Sequence, residues 1–258
     1  MQLTSPAEFA KEKVLAVQEY SYLAGRSLVN LFRHPRYVAD MIQQADMVGV
    51  GSLPIVILTG FFTGAVLAVN AKRTLEQFGS LALTGQLVSI SMVRELGPVF
   101  TGLMVAGRNA SGMASELGSM MVTEQIDAMR ALGTDPSKKL VTPRVIATII
   151  MMFFLTIISD LCGLTGGFGV AVAYLHLDSH QYWSKAYQSL VYGDVVIGLV
   201  KPVMFGLIVA TVGCYYGLTA RGGTQGVGRS TTQAMVAASV LIMIVNYFTS
   251  QLLLWLLI

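Results

Sequence analysis

The sequence predicts an all-α integral membrane protein: an N-terminal interfacial helix, about five transmembrane helices, and a short amphipathic helix between the second and third. Three observations predict it. Apolar residues make up 54% of the chain and charged residues 12%, against about 25% charged in soluble domains, and mean hydropathy is +0.64. Residues 47–71, 202–220 and 230–258 contain no Lys, Arg, Asp or Glu, and about 20 apolar residues cross a hydrocarbon core of roughly 30 Å. Basic residues are also shared unevenly between the two sets of connecting segments.

Residues 1–47 form the N-terminal region. Within it, residues 7–33 mix Phe9, Leu15, Tyr22, Leu23, Leu28 and Phe32 with charges, the pattern of a helix lying on a membrane surface. His34-Pro35 should end that helix, since the residue before proline is pushed out of helical geometry. No secretory leader is expected, because no apolar core precedes a small-residue cleavage site.

The spans are expected at about 48–70, 83–107, 144–175, 195–218 and 232–257, in one transmembrane domain over 48–258. Gly60 and Gly64 in the first, and Gly163, Gly166, Gly167 and Gly169 in the third, should let helices approach closely. Between spans two and three, Val122, Ile126 and Met129 share a helical stripe while Glu124, Asp127 and Arg130 lie elsewhere. Gly133 suits the C-cap of that short helix, and Thr142-Pro143 would supply the N-cap and first-turn proline of span three. Cys162 and Cys214 lack metal-ligand spacing and read as small buried apolar residues.

Lys11, Lys13, Arg26, Arg33, Arg36, Arg108, Arg130, Lys138, Lys139, Arg144, Arg221 and Arg229 fall on one side of the spans, against Lys72, Arg73 and Lys185 on the other. Basic loops stay in the cytoplasm, so the N-terminus and the short helix are expected inside and the C-terminus outside. A net charge of +3 is too small to suggest nucleic acid.

The second span carries Arg94-Glu95-Leu96-Gly97-Pro98. Ionisable groups inside a bilayer are costly and mark substrate paths or bundle-interior contacts. Pro98 has no N–H and leaves the Arg94 carbonyl free; Lys201-Pro202 does the same to Gly198 in the fourth span. Adjacent helical residues do not face each other, so Glu95 is expected to pair with Lys201. Arg94 would then meet a lipid phosphate, which suits its fork of donors, or Asp160 in the third span. Gly223-Thr224-Gln225-Gly226-Val227-Gly228-Arg229-Ser230 imitates a phosphate loop, but a true one follows a strand. Asn109-Ala110-Ser111-Gly112 faintly resembles a serine nucleophile with no base in reach, since His34, His176 and His180 lie outside the spans. The chain is therefore expected to bind neither ATP nor a metal and to be no enzyme.

Arg94-Glu95-Leu96-Gly97-Pro98, Ala106-Gly107-Arg108, Glu124-Gln125-Ile126-Asp127-Ala128-Met129, Leu132-Gly133-Thr134-Asp135-Pro136, Pro143-Arg144, Lys201 and Gly217-Leu218-Thr219-Ala220-Arg221-Gly222-Gly223 resemble the MlaE/YrbE permease family. The resemblance runs from about residue 25 to near the end. It implies a permease subunit of an ABC transporter that moves phospholipids or related lipids between membranes, from a bacterial inner membrane. It further implies a homodimer with a lipid cavity between protomers, and a hexameric MCE-domain substrate-binding protein on the outer face. Some members add a small STAS-domain subunit. ATP and Mg would sit on a separate ATPase, docked on a coupling helix at about 118–133 through Glu124, Ile126, Asp127, Met129 and Arg130. Arg94, Glu95, Lys201 and Asp160 would face the lipid, beside kinks at Pro98 and Pro202. The rival reading is a stand-alone proton-linked carrier using Glu95 and Asp160, which would often show repeated halves; none is evident here.

Overall fold

A computed structural model describes residues 6–30 and 37–257. The expected helix stop at His34-Pro35 lies outside the described residues. Eight helices account for nearly all of the described chain: α1 (Pro6–Asn30), α2 (Val38–Gln77), α3 (Leu81–Val122), α4 (Gln125–Ala131), α5 (Ser137–Ala173), α6 (Ser179–Gln188), α7 (Tyr192–Leu218) and α8 (Gly223–Leu257). Five of them, α2, α3, α5, α7 and α8, are long and apolar enough to cross a membrane. All five spans were legible, but several helices run past the membrane-length windows. The second span continues to Val122, so residues 108–122 are helix rather than loop.

The α2–α5 contact is the most extensive in the bundle. A Cβ on Gly60 would strike Ser159, one on Gly64 would strike the Gly163 backbone, and one on Gly166 would strike Phe61. These glycines let two backbones approach to a distance no larger residue permits. Gly169 differs from expectation, since it faces open space. Around this pair a core forms from Val56, Val105, Met152, Leu155, Phe205, Val209 and Ile242, all essentially buried. Cys214 is buried and Cys162 half-buried, both as free thiols.

α1, α4 and the α7–α8 turn share one end of the bundle, here termed the basic face. Tyr20 of α1 hydrogen-bonds the Thr211 hydroxyl of α7 at 2.9 Å, and Arg26 pairs with Asp135 at 2.7 Å. Burial raises the Tyr20 phenol above its ordinary pKa, and the Thr211 bond offsets part of that shift. Below them, Arg144, 4% exposed, pairs with Glu116 at 2.7 Å. At this end α5 begins one turn earlier than Thr142-Pro143 suggested. Asp135 accepts the Ser137 N–H at 3.0 Å, and Thr142 bonds the Ser137 carbonyl inside a wide first turn.

The opposite face carries α6, a short helix with no counterpart in the sequence reading. Its cap was nonetheless visible as Asp178 three residues before Gln181, whose N–H it accepts at 3.1 Å. Tyr182 anchors α6 by donating to the Leu164 carbonyl at 3.0 Å, within a ring cluster of Phe168 and Trp183. Burial pushes the Tyr182 phenol well above its usual pKa.

Candidate functional site: a charged cluster inside the bundle

Helix α3 does not pass Pro98 as a regular α-helix. Residues 92–96 form a π-turn in which the Gly97 N–H reaches back to the Met92 carbonyl. This widening accommodates a proline that would otherwise crowd the previous turn. It also presents the Arg94 carbonyl sideways, toward α7.

Lys201 fills that gap. Its Nζ lies 2.7 Å from Glu95 Oε2 and donates to the Arg94 carbonyl at 2.8 Å. Lys201 is 0% exposed, whereas 35% of the Glu95 side chain remains open. The expected pairing is present, and it uses the acceptor that Pro98 frees. α7 comes this close because Gly198 lies against the Val93 backbone, where any Cβ would collide.

Arg94 does not meet Asp160, one of the two partners expected for it; its Nη1 sits 3.5 Å from Asp194 Oδ1 at the start of α7. The second oxygen of Asp194 accepts the Val191 N–H at 3.3 Å, so one carboxylate caps α7 and holds Arg94. Asp160 instead packs its Oδ1 against Gly97 of α3 and is 8% exposed with no hydrogen-bond partner for that oxygen. The sequence reading missed Asp194, although a carboxylate three residues into a helix is a recognisable cap.

It also missed the contribution of α8. Asn246 Nδ2 and Ser250 Oγ donate to Glu95 Oε2 at 3.4 and 3.2 Å. The two stand four residues apart on one helical face. That spacing within an otherwise apolar run was the available signal.

At the basic face, the helix expected over 118–133 is two pieces. Residues 118–122 belong to α3; Glu124 takes a left-handed φ of 58°; α4 then runs Gln125–Ala131. Gly133, the residue after the C-cap Leu132, has φ 76°. Thr134 N–H reaches the Met129 carbonyl and Gly133 N–H reaches that of Arg130, at 2.9 and 3.0 Å, which is a Schellman closure. Ile126 is 0% exposed in a core with Leu117, Val141 and Val145, so it anchors α4 to the bundle. Glu124, Asp127 and Arg130 are exposed and Met129 is half-buried; Asp127 and Arg130 pair at 2.8 Å. The glycine-rich segment at residues 223–230 forms the first two turns of α8, entered through positive φ at Gly222 and Gly223, and α8 is itself of membrane-crossing length.

The family model described as Permease MlaE matches residues 41–252. A probable ABC transporter permease protein of Rickettsia felis is 42% identical over 237 residues, 92% of each chain. The intermembrane phospholipid transport system permease protein MlaE of Haemophilus influenzae is 32% identical over 213 residues, 82% of each chain. A probable ABC transporter permease protein of Synechocystis is 36% identical over 231 residues, 90% of this chain and 88% of that one. With its five membrane-length helices and its buried charged cluster, the chain belongs to the MlaE permease family and is a multi-pass membrane permease, not an enzyme.

Proposed function

We propose that this chain is the permease subunit of an ABC transporter that moves phospholipids between membranes, working as a homodimer. The observation that carries the reading is the Arg94–Glu95–Lys201 cluster, part-open at its side and set among largely apolar helices. A phospholipid needs both environments, charge for its phosphodiester and apolar surface for its acyl chains. The name of the Haemophilus influenzae relative, a permease of an intermembrane phospholipid transport system, supports the same substrate class. The positive-inside count supports a cytoplasmic basic face, hence a cytoplasmic N-terminus and periplasmic C-terminus in a bacterial inner membrane.

In this reading a separate ATPase docks on Glu124, Asp127, Met129 and Arg130. ATP and Mg belong to that partner. Closure of two ATPase subunits pushes α4, and Ile126 passes the displacement into the core that α4 shares with α3, α5 and α7. α3 and α7 then shift about the Lys201 contact, and the space beside Arg94 and Glu95 changes width around the lipid. An MCE-domain hexamer on the opposite face exchanges lipid with that space, with a STAS-domain subunit as a further component.

Native mass spectrometry of the gently extracted complex tests this. Two copies of the chain with two of an ATPase and retained phospholipid is the expected result. A partner-free protein that transports in liposomes without ATP would overturn it in favour of a proton-linked carrier using Glu95 and Asp160.

A further inference from the structure

A second cation lies at the other end of the same helix face. Leu96, Phe100, Met104 and Arg108 recur every fourth residue of α3, a spacing that stacks them on one face over about 18 Å. Two apolar grooves follow that face. One, of about 570 Å³, runs between α2 and α3 past Leu96, Phe100 and Met104. The other, of about 650 Å³, continues from Met104 to Arg108 and is closed on its far side by Met235, Val236, Ser239 and Val240 of α8. The two share Met104, so they meet end to end along α3, from Leu96 to Arg108.

Arg108 is built into the end of these grooves. It sits in a second π-turn, residues 106–110, and its guanidinium lies over Gly51 of α2, where a Cβ would collide with it. Its Nη1 donates to the Met47 carbonyl at 3.0 Å, Ser52 Oγ at 3.2 Å and Asn109 Oδ1 at 3.3 Å. All three acceptors are neutral, and no carboxylate among the described residues pairs with it. Arg94 and Arg144, by contrast, each face an acid. A guanidinium held in place but left without a counter-ion, at the mouth of an apolar groove, is complementary to a phosphodiester with an acyl chain.

We infer that Arg108 and the α2–α3–α8 groove form a second phospholipid headgroup site, at the basic-face leaflet, distinct from the Arg94–Glu95–Lys201 cluster. The inference rests on the phospholipid reading above and deepens it: the lipid path has a headgroup station at each end of one α3 face. Ser239 adds a hydroxyl beside the groove for the ester or phosphate oxygens.

The test uses the full chain in phosphatidylcholine nanodiscs with a trace of phosphatidylglycerol carrying a photoreactive diazirine on its headgroup. Cross-linked peptides are mapped by mass spectrometry. Labelling is expected at residues 47–55 and 235–240 as well as near Arg94. Arg108→Gln should lower the basic-end labelling about ten-fold, the value of one charge-assisted contact, and spare the Arg94 end. Val240→Trp, which fills the groove without touching the Arg108 bonds, should lower it too. Undiminished labelling in both variants overturns the site. So does wild-type labelling confined to the Arg94 end, which would mean that a second copy of the chain covers the groove. Displacement of the basic-end label by inorganic phosphate alone would overturn the lipid assignment. Loss of labelling at both ends would instead overturn the phospholipid reading itself.

Discussion

The Lys201 ammonium donates to the Arg94 carbonyl at 2.8 Å, the carbonyl that Pro98 leaves without a partner in the α-helical pattern. One buried cation thus answers two deficits in α3, a missing N–H and an unpaired carboxylate. The arrangement ties α3 to α7 at the depth where Gly198 has already brought the two backbones together. Removing one partner of a buried pair costs about 3–5 kcal/mol, because the other is left charged and unpaired.

Lys201→Met and Glu95→Gln should therefore lower the thermal stability of the detergent-solubilised protein, with Lys201→Met the worse. Reversing both, Glu95→Lys with Lys201→Glu, should recover part of the loss. Recovery should stay incomplete, since a carboxylate at position 201 cannot donate to the Arg94 carbonyl. A double reversal no more stable than either single variant would show that the pair is not what joins these helices.

Gly97 and Asp160 form a second coupled pair. A Cβ at 97 would overlap Asp160 Oδ1, and overpacking of this kind costs about 1–3 kcal/mol. Gly97→Ala should be destabilising alone and much less so in an Asp160→Ala background. A double-mutant cycle measures the coupling; additive effects would mean that the two helices separate without strain.

At the basic face, exposure divides the roles within α4. Asp127 is solvent-facing and paired only with Arg130 one turn away, and such surface pairs contribute about 0–1 kcal/mol. Asp127→Lys should leave the thermal midpoint of the isolated permease nearly unchanged while abolishing ATPase docking and coupled transport. Ile126→Ala should instead destabilise the α4 region by about 2–5 kcal/mol, as a buried truncation does, read out as faster hydrogen exchange in α4. Normal coupled transport in Asp127→Lys would remove α4 as the docking helix.

Tyr182 predicts a pH dependence. Burial raises its folded-state pKa above the ordinary value of about 10. Keeping the phenol neutral stabilises the fold fully below pH ~10, and this contribution is lost as the pH rises toward the folded-state pKa. Tyr182→Phe cannot ionise and gives up only the bond to the Leu164 carbonyl, about 1 kcal/mol. The stability gap between wild type and Tyr182→Phe should therefore shrink as the pH passes about 10. A constant gap through pH ~11 would mean that the phenol ionises freely in the folded state.

The sequence by itself determined the five spans, the short helix after the second, and the pairing of Glu95 with Lys201. Each follows from local chemistry: a run of apolar residues must be long enough to cross a bilayer, a proline removes one specific hydrogen bond, and a buried base needs an acid. Gly133 was legible for the same reason, because a left-handed C-cap favours glycine whatever surrounds it. Only the tertiary structure decided that Arg94 turns to Asp194 and leaves Asp160 against Gly97. Three acids were available to two bases, and the choice depends on the rotation of α5 and α7 about their own axes. Tertiary packing also brings Asn246 and Ser250 of α8 to Glu95, points Ile126 inward, and gives Arg108 only neutral acceptors among the described residues. Hydrophobic periodicity specifies which residues enter a membrane. Which polar side chains meet inside it is set by close packing between helices far apart in the chain, where a shift of one residue exchanges one partner for another.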